Sequence, residues 1–155
     1  MQITFESPSV QSYLQILQSV INRMAANSTG CKTWCITLVS AIAVLVANKG
    51  QPQYVWIAIV PIGLFLFLDS YYLGLERRFR STYNRFIKKL HEGNATVDDV
   101  FIVTPGRLRD RLAAIFASMF SLSIWPFYVL LLLMLGVVYE FVLVIPQAGN
   151  PAQGQ

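Results

Sequence analysis

From Leu112 to Tyr139 the chain carries no charged side chain. A water-soluble fold of ordinary composition, about a quarter charged, rarely tolerates so long an uncharged run. A bilayer does, because a helix of about 20 apolar residues spans its hydrocarbon core. Two more runs share this character. Thr33–Ala47 is uncharged, and Tyr54–Leu75 holds the single charge Asp69. The whole chain is 55% hydrophobic and 13% charged. These features predict an all-α integral membrane protein: a transmembrane hairpin, a third C-terminal span, and amphipathic cytoplasmic helices.

The expected segments follow from periodicity and breaks. Residues 1–31 form an N-terminal amphipathic helix. Ser7 is placed to cap it, and Pro8 suits the first helical position. Val10, Tyr13, Leu14, Leu17, Ile21 and Met24 recur at i, i+3, i+4, i+7. This face either lies in the membrane interface or packs on protein. Asn27-Ser28-Thr29-Gly30 reads as a break. Residues 32–75 form the hairpin, with one span at Lys32–Asn48, a polar turn at Lys49–Gln53 and a second span at Tyr54–Leu75. Lysine stems at its ends can snorkel. Tyr54, Trp56, Tyr71 and Tyr72 fall where an aromatic belt is expected. Pro61 and Gly63 are expected to bend or loosen the second span.

Residues 76–111 form a basic segment, whose helix continues out of the second span and stops near Gly93-Asn94. Thr96–Thr104 reads as a short strand or extended stretch. Residues 112–146 hold a lead-in to about Leu122 and a third span from about Ser123 to Ile145, with Pro126 at the junction. A re-entrant hairpin is the alternative. Residues 147–155 form a Pro/Gly/Gln-rich tail, expected to be disordered. The first 30 residues lack the order of a cleavable signal peptide, since their first basic residue is Arg23.

The charges give the chain a direction. Cytoplasmic flanks of spans collect Lys and Arg. With three spans, Arg23, Lys32, Arg77, Arg78, Arg80, Arg85, Lys88, Lys89, Arg107, Arg109 and Arg111 share one side, and Lys49 alone lies opposite. The expected location is therefore a bacterial inner membrane, with the N-terminus and basic segment cytoplasmic.

Constellations for catalysis are absent from the sequence pattern. His91 is the lone histidine, and no Gly-rich phosphate loop or metal-ligand spacing occurs. A non-enzyme without cofactor or metal is expected. Cys31 and Cys35 share a helix face and read as packing residues. Asn27-Ser28-Thr29 and Asn94-Ala95-Thr96 match the glycosylation sequon but fall on the cytoplasmic side. Asp69 and Glu140 are the acids within spans, and such groups are functional candidates for gating or packing. The plainer reading of Asp69 is a pair with a basic residue at the interface, where Arg77 and Arg78 lie two turns on. The two acids sit at opposite depths, so a direct pair is not expected.

Arg77, Arg78, Arg80, Arg85, Lys88 and Lys89 are candidate contacts to anionic lipid or to a partner. Nucleic acid offers the same phosphate chemistry but is not the expected partner, because topology alone accounts for these charges. Small residues at Ala114, Ala117, Ser118 and Ser121, and at Ser40, Ala41, Ala43 and Ala47, suit close helix packing. They point to a homo-oligomer or a complex with a cytosolic protein.

The stretch Tyr71-Tyr72-Leu73-Gly74-Leu75-Glu76-Arg77-Arg78-Phe79-Arg80, followed by Tyr83-Asn84-Arg85-Phe86, directly continues a two-span hairpin. This layout, over about residues 10–90, resembles the SLATT-type membrane effectors of bacterial anti-phage and nucleotide-signalling systems. The resemblance implies an oligomerising, membrane-perturbing effector triggered by a partner or a nucleotide signal. The rival expectation is a non-catalytic membrane anchor or sensor subunit for a cytosolic partner.

Overall fold

The protein is all-α and, among the described residues, has three helices long and apolar enough to cross a membrane. The structure, a computed structural model, describes residues 4, 6–101 and 108–148, with side chains at 4, 6–101 and 114–142. The helices are α1 (Pro8–Lys49), α2 (Ile59–His91), α3 (Leu108–Met119) and α4 (Trp125–Ala148). No strand occurs among the described residues. The chain divides into two compact units. One takes the chain up to Thr29 and Ser70–Ser118, and the other takes Gly30–Asp69 and the chain from Met119 onward.

Three local expectations are corrected. The break at Asn27–Gly30 does not form, and α1 runs 42 residues without interruption. At 1.5 Å per residue that is about 63 Å, twice the hydrocarbon thickness of a bilayer. The polar residues fit because they bond within the helix or are buried. Thr29 Oγ1 donates to the Ala25 carbonyl at 3.2 Å, and Ser28 is buried. Met24, Ser28, Cys31, Cys35, Val39 and Val46 form one buried stripe along α1. Burial of that stripe outweighs a helix-propensity cost of at most about 1 kcal/mol per residue. Ser7 also behaves differently. Its carbonyl accepts the N–H groups of Val10 and Gln11, while its hydroxyl turns back to accept the Thr4 N–H.

The expected strand is the third correction. Val97–Asp99 is a single 3-10 turn, and Phe101 adopts a positive φ of 67°. The backbone is extended at Thr96, and the Thr96–Asp99 capping box closes the 3-10 turn immediately after it. The rest of that stretch, and residues 149–155 of the expected disordered tail, lie outside the described residues.

In the first unit, Val10, Tyr13 and Leu17 of α1 pack with Phe86 and Leu90 of α2 and with Ala95. Tyr13 meets Phe86 edge-on at 4.9 Å and Phe101 at 5.8 Å. A Cβ on Gly74 would stand 3.5 Å from the backbone of Ala114 and Ile115, so α3 approaches α2 closely where α2 lacks a side chain. Helix α2 ends in a Schellman motif. The Gly93 N–H reaches the Leu90 carbonyl and the Asn94 N–H reaches Lys89. Gly93 supplies the required left-handed φ of 68°.

In the second unit, α1 is followed by Gly50 at φ 61° and a 3-10 segment, Pro52–Ala58, that leads into α2. The Ile59 N–H donates to the Trp56 carbonyl, the i−3 pattern of a tightened helix. Pro61 falls in the first turn of α2, near the junction with the 3-10 segment, where proline is tolerated. Each helix buries one stripe: Cys31, Cys35, Val39 and Val46; Val55, Ala58, Ile62 and Asp69; Ile124, Tyr128, Leu131, Leu135 and Val142. The opposite faces stay apolar and exposed, with Val44, Leu45, Val60, Leu64, Leu133 and Val137 among them. A helix apolar all round requires lipid or protein on its outer face. The 3-10 segment packs on α4, where Trp56 and Tyr139 lie 6.3 Å apart.

Candidate functional sites

The second unit contains an ion pair inside its apolar stripes. Lys32 Nζ lies 2.6 Å from Asp69 Oδ2. Asp69 is 0% exposed and Lys32 is 22% exposed at its side chain. The pairing follows from hairpin geometry. Lys32 stands eighteen positions before Gly50, and Asp69 stands eighteen after Gln51. The two arms run antiparallel, so near-equal separations from the turn bring both to similar depth, the seven-residue 3-10 segment shifting the register by only about 3.5 Å. Tyr128 of α4 is buried beside the Asp69 carboxylate. Cys31 and Cys35, both buried free thiols, flank the pair on α1. All three spans thus contribute to one polar cluster.

Asp69 is paired, but not with the arginines two turns further along α2. An antiparallel neighbour at equal depth supplies the counter-charge instead. Glu140 is exposed on α4 among Leu132, Leu133, Gly136, Val137 and Phe141. It stands 12 residues beyond Tyr128, about 18 Å of helix from the Asp69 cluster. The two candidate acids do not meet.

In the first unit the basic residues separate into distinct environments. Arg80 pairs with Glu76 at 2.7 Å and Lys88 with Glu92 at 3.7 Å, each one helical turn apart. Arg77 is exposed, whereas Arg78 is half-buried with its Nη1 enclosed and, among the described residues, without a hydrogen-bond partner. His91 Nδ1 lies 2.9 Å from the Ile87 carbonyl, one helical turn back. Lys89 Nζ donates to Asp99 Oδ1 at 2.6 Å. The other carboxylate oxygen accepts the Thr96 N–H and hydroxyl, both at 3.1 Å. These bonds hold the Asp99 carboxyl below its ordinary range, the Lys89 ammonium first and the Thr96 N–H second.

Lys89 also lines an open cleft of about 400 Å³. Thr82, Arg85, Phe86 and Lys89 form one wall, at the i, i+3, i+4, i+7 spacing of a single α2 face. Tyr13 of α1 and Asp99 complete the lining. Sequence reasoning marked Arg85 and Lys89 but not Tyr13, Thr82 or Asp99. It also passed over Lys32 and Tyr128 as partners of Asp69. Equal distances from the hairpin turn were the available signal for Lys32, whereas no sequence signal pointed to Tyr128 or to the cleft. Among the described residues, no cluster of His, Cys, Asp and Glu is arranged to hold a metal ion. No protein-family model, curated protein or solved structure matches this chain.

Proposed function

We propose that the chain is a small multi-pass protein of a bacterial inner membrane that self-assembles and perturbs the bilayer when triggered. It acts without catalysis or cofactor. Its N-terminus and basic segment face the cytoplasm, following the bias of 11 basic residues against one. The observation that carries this reading is the Lys32–Asp69 pair within the spans. Two charges held in an apolar layer carry a desolvation penalty that packing alone does not require. They give the spanning helices a contact that can be kept or exchanged for a partner on another copy. The exposed apolar faces of α1, α2 and α4 suit lipid in one state and neighbouring copies in another. The layout shared with SLATT-type effectors supports the same reading.

A membrane sensor or anchor subunit for a cytosolic partner is the second reading. The cleft at Arg85 and Lys89 favours it, because a passive span needs no such feature. Induced expression in bacteria separates the two. The effector reading expects depolarisation and growth arrest with the native chain, and a changed response with Asp69→Asn or Lys32→Met. Benign expression, with recovery of one cytosolic protein on the tagged chain, overturns it in favour of the anchor. An unchanged response with Asp69→Asn removes the pair from the mechanism.

A further inference from the structure

The α2 face at Thr82, Arg85, Phe86 and Lys89 holds chemistry that positive-inside topology does not call for. Topology needs basic residues near a span, in any orientation. Here two cations one turn apart share a cleft with hydroxyl groups and aromatic rings. Arg85 is exposed and, among the described residues, forms no ion pair. Thr82 stands one turn before it on the same face. Phe86, buried, and Tyr13 supply apolar walls. The volume of about 400 Å³ lies in the range of small-molecule sites, roughly 300–1,000 Å³.

We propose that this cleft binds a phosphate group, carried by a small phosphorylated compound or by a lipid headgroup, between Arg85 and Lys89. Guanidinium and ammonium donors one turn apart match the spread of a tetrahedral oxyanion. The Thr82 hydroxyl adds a neutral donor, and the aromatic walls receive the remainder of the molecule.

Asp99 occupies part of that site. Its carboxylate already holds Lys89 at 2.6 Å, in the position a phosphate oxygen would take. The same carboxylate anchors Thr96, so it ties the 3-10 turn to α2. An incoming phosphate competes with Asp99 for Lys89. Lys89 is 43% and Asp99 21% exposed at the side chain, so water screens the pair and exchange is easy. Phosphate binding therefore releases Asp99 from Lys89 and unties from α2 the Val97–Asp99 turn, which leads directly to Phe101 against Tyr13. The site would report its occupancy through that turn. This proposal stands on the first unit alone and does not depend on the effector reading.

The test uses the full chain in detergent micelles at low salt, titrated with pyrophosphate and with inorganic phosphate by calorimetry. Saturable binding is expected. Arg85→Ala and Lys89→Ala each weaken it at least about tenfold, the loss of one charge-assisted contact. Asp99→Asn tightens it several-fold, because it releases Lys89 and removes a negative charge from the cleft. A gain of affinity cannot arise from misfolding, so this variant protects the test. Arg23→Ala, an exposed cation outside the cleft, leaves binding unchanged.

Repetition in nanodiscs of phosphatidylcholine, with and without phosphatidic acid, separates the sources. Pyrophosphate binding undiminished by phosphatidic acid identifies a soluble ligand, whereas competitive loss identifies the headgroup. Absence of saturable binding in both the native chain and Asp99→Asn overturns the proposal. An equal loss in Arg85→Ala and Arg23→Ala also overturns it, since diffuse positive charge would then explain the binding.

Discussion

Among the described residues, two Lys–Asp pairs have the same length, 2.6 Å, in two different settings. Lys32–Asp69 lies within the buried stripes of the spanning helices. Lys89–Asp99 bridges a helix to a short turn at the edge of an open cleft. Geometry alone would rank them as equals, but their surroundings do not. The attraction between two charges scales inversely with the local dielectric, and so does the cost of leaving one of them alone. The buried pair is therefore difficult to break from one side. The exposed pair is weak as glue but easily exchanged, which suits a position that a ligand must enter.

The largest expected effect comes from breaking the buried pair. Asp69→Ala leaves Lys32 uncompensated and is expected to destabilise the second unit by about 3–5 kcal/mol. Denaturation in mixed micelles measures this. Lys32→Met combined with Asp69→Leu should recover most of that loss, because no orphan charge remains. A double variant as unstable as Asp69→Ala would mean that the pair contributes more than charge compensation.

A smaller effect is expected at the end of α2. Gly93→Ala puts a Cβ on a residue at φ 68° and should cost about 1–2 kcal/mol. Hydrogen exchange should show faster exchange over Thr96–Asp99, while amides around Lys32 and Asp69 stay protected. Equal loosening of both regions would break the comparison.

The smallest effect is on the exposed pair itself. In roughly 1 M salt, where the screening length is about 3 Å, the Lys89–Asp99 contact should weaken while the buried pair persists. Its pH dependence has a definite sign. The Asp99 carboxyl titrates below its ordinary value of about 3.9 in the folded chain. Its contribution is thus complete above that value and disappears as pH falls through the lowered one. Amide shifts of Thr96 and Asp99 should move below about pH 4 and stay flat from there to neutrality. Movement centred near neutral pH would show that another group controls the turn.

Some of this was legible in the residues. Two uncharged runs and a third with Asp69 as its single charge announce three spanning helices, because charge at membrane depth is costly wherever it falls in the fold. Gly93-Asn94 announces the end of α2, because few residues besides glycine enter the left-handed region without strain. Asn27–Gly30 misled, since local propensity predicted a break that a buried stripe overrides. The expectation of a short strand or extended stretch at Thr96–Thr104 misled, over its described part, for a related reason. Val100-Phe101 has strand composition, yet the turn before it is closed by Asp99 bonding to Thr96 and Lys89.

The sites divide in the same way. Asp69 and the basic face of α2 stand out from sequence, since charges in unusual places are visible in one dimension. The partners do not stand out. Lys32 and Tyr128 join Asp69, and Tyr13 and Asp99 join Arg85 and Lys89, only when distant segments pack together. Membrane residence was thus determined by the sequence itself, through the solvation cost of each residue in turn. Which charges meet, and which remain open to a ligand, was decided by the tertiary structure, because pairing depends on distances between segments that the order of residues does not contain.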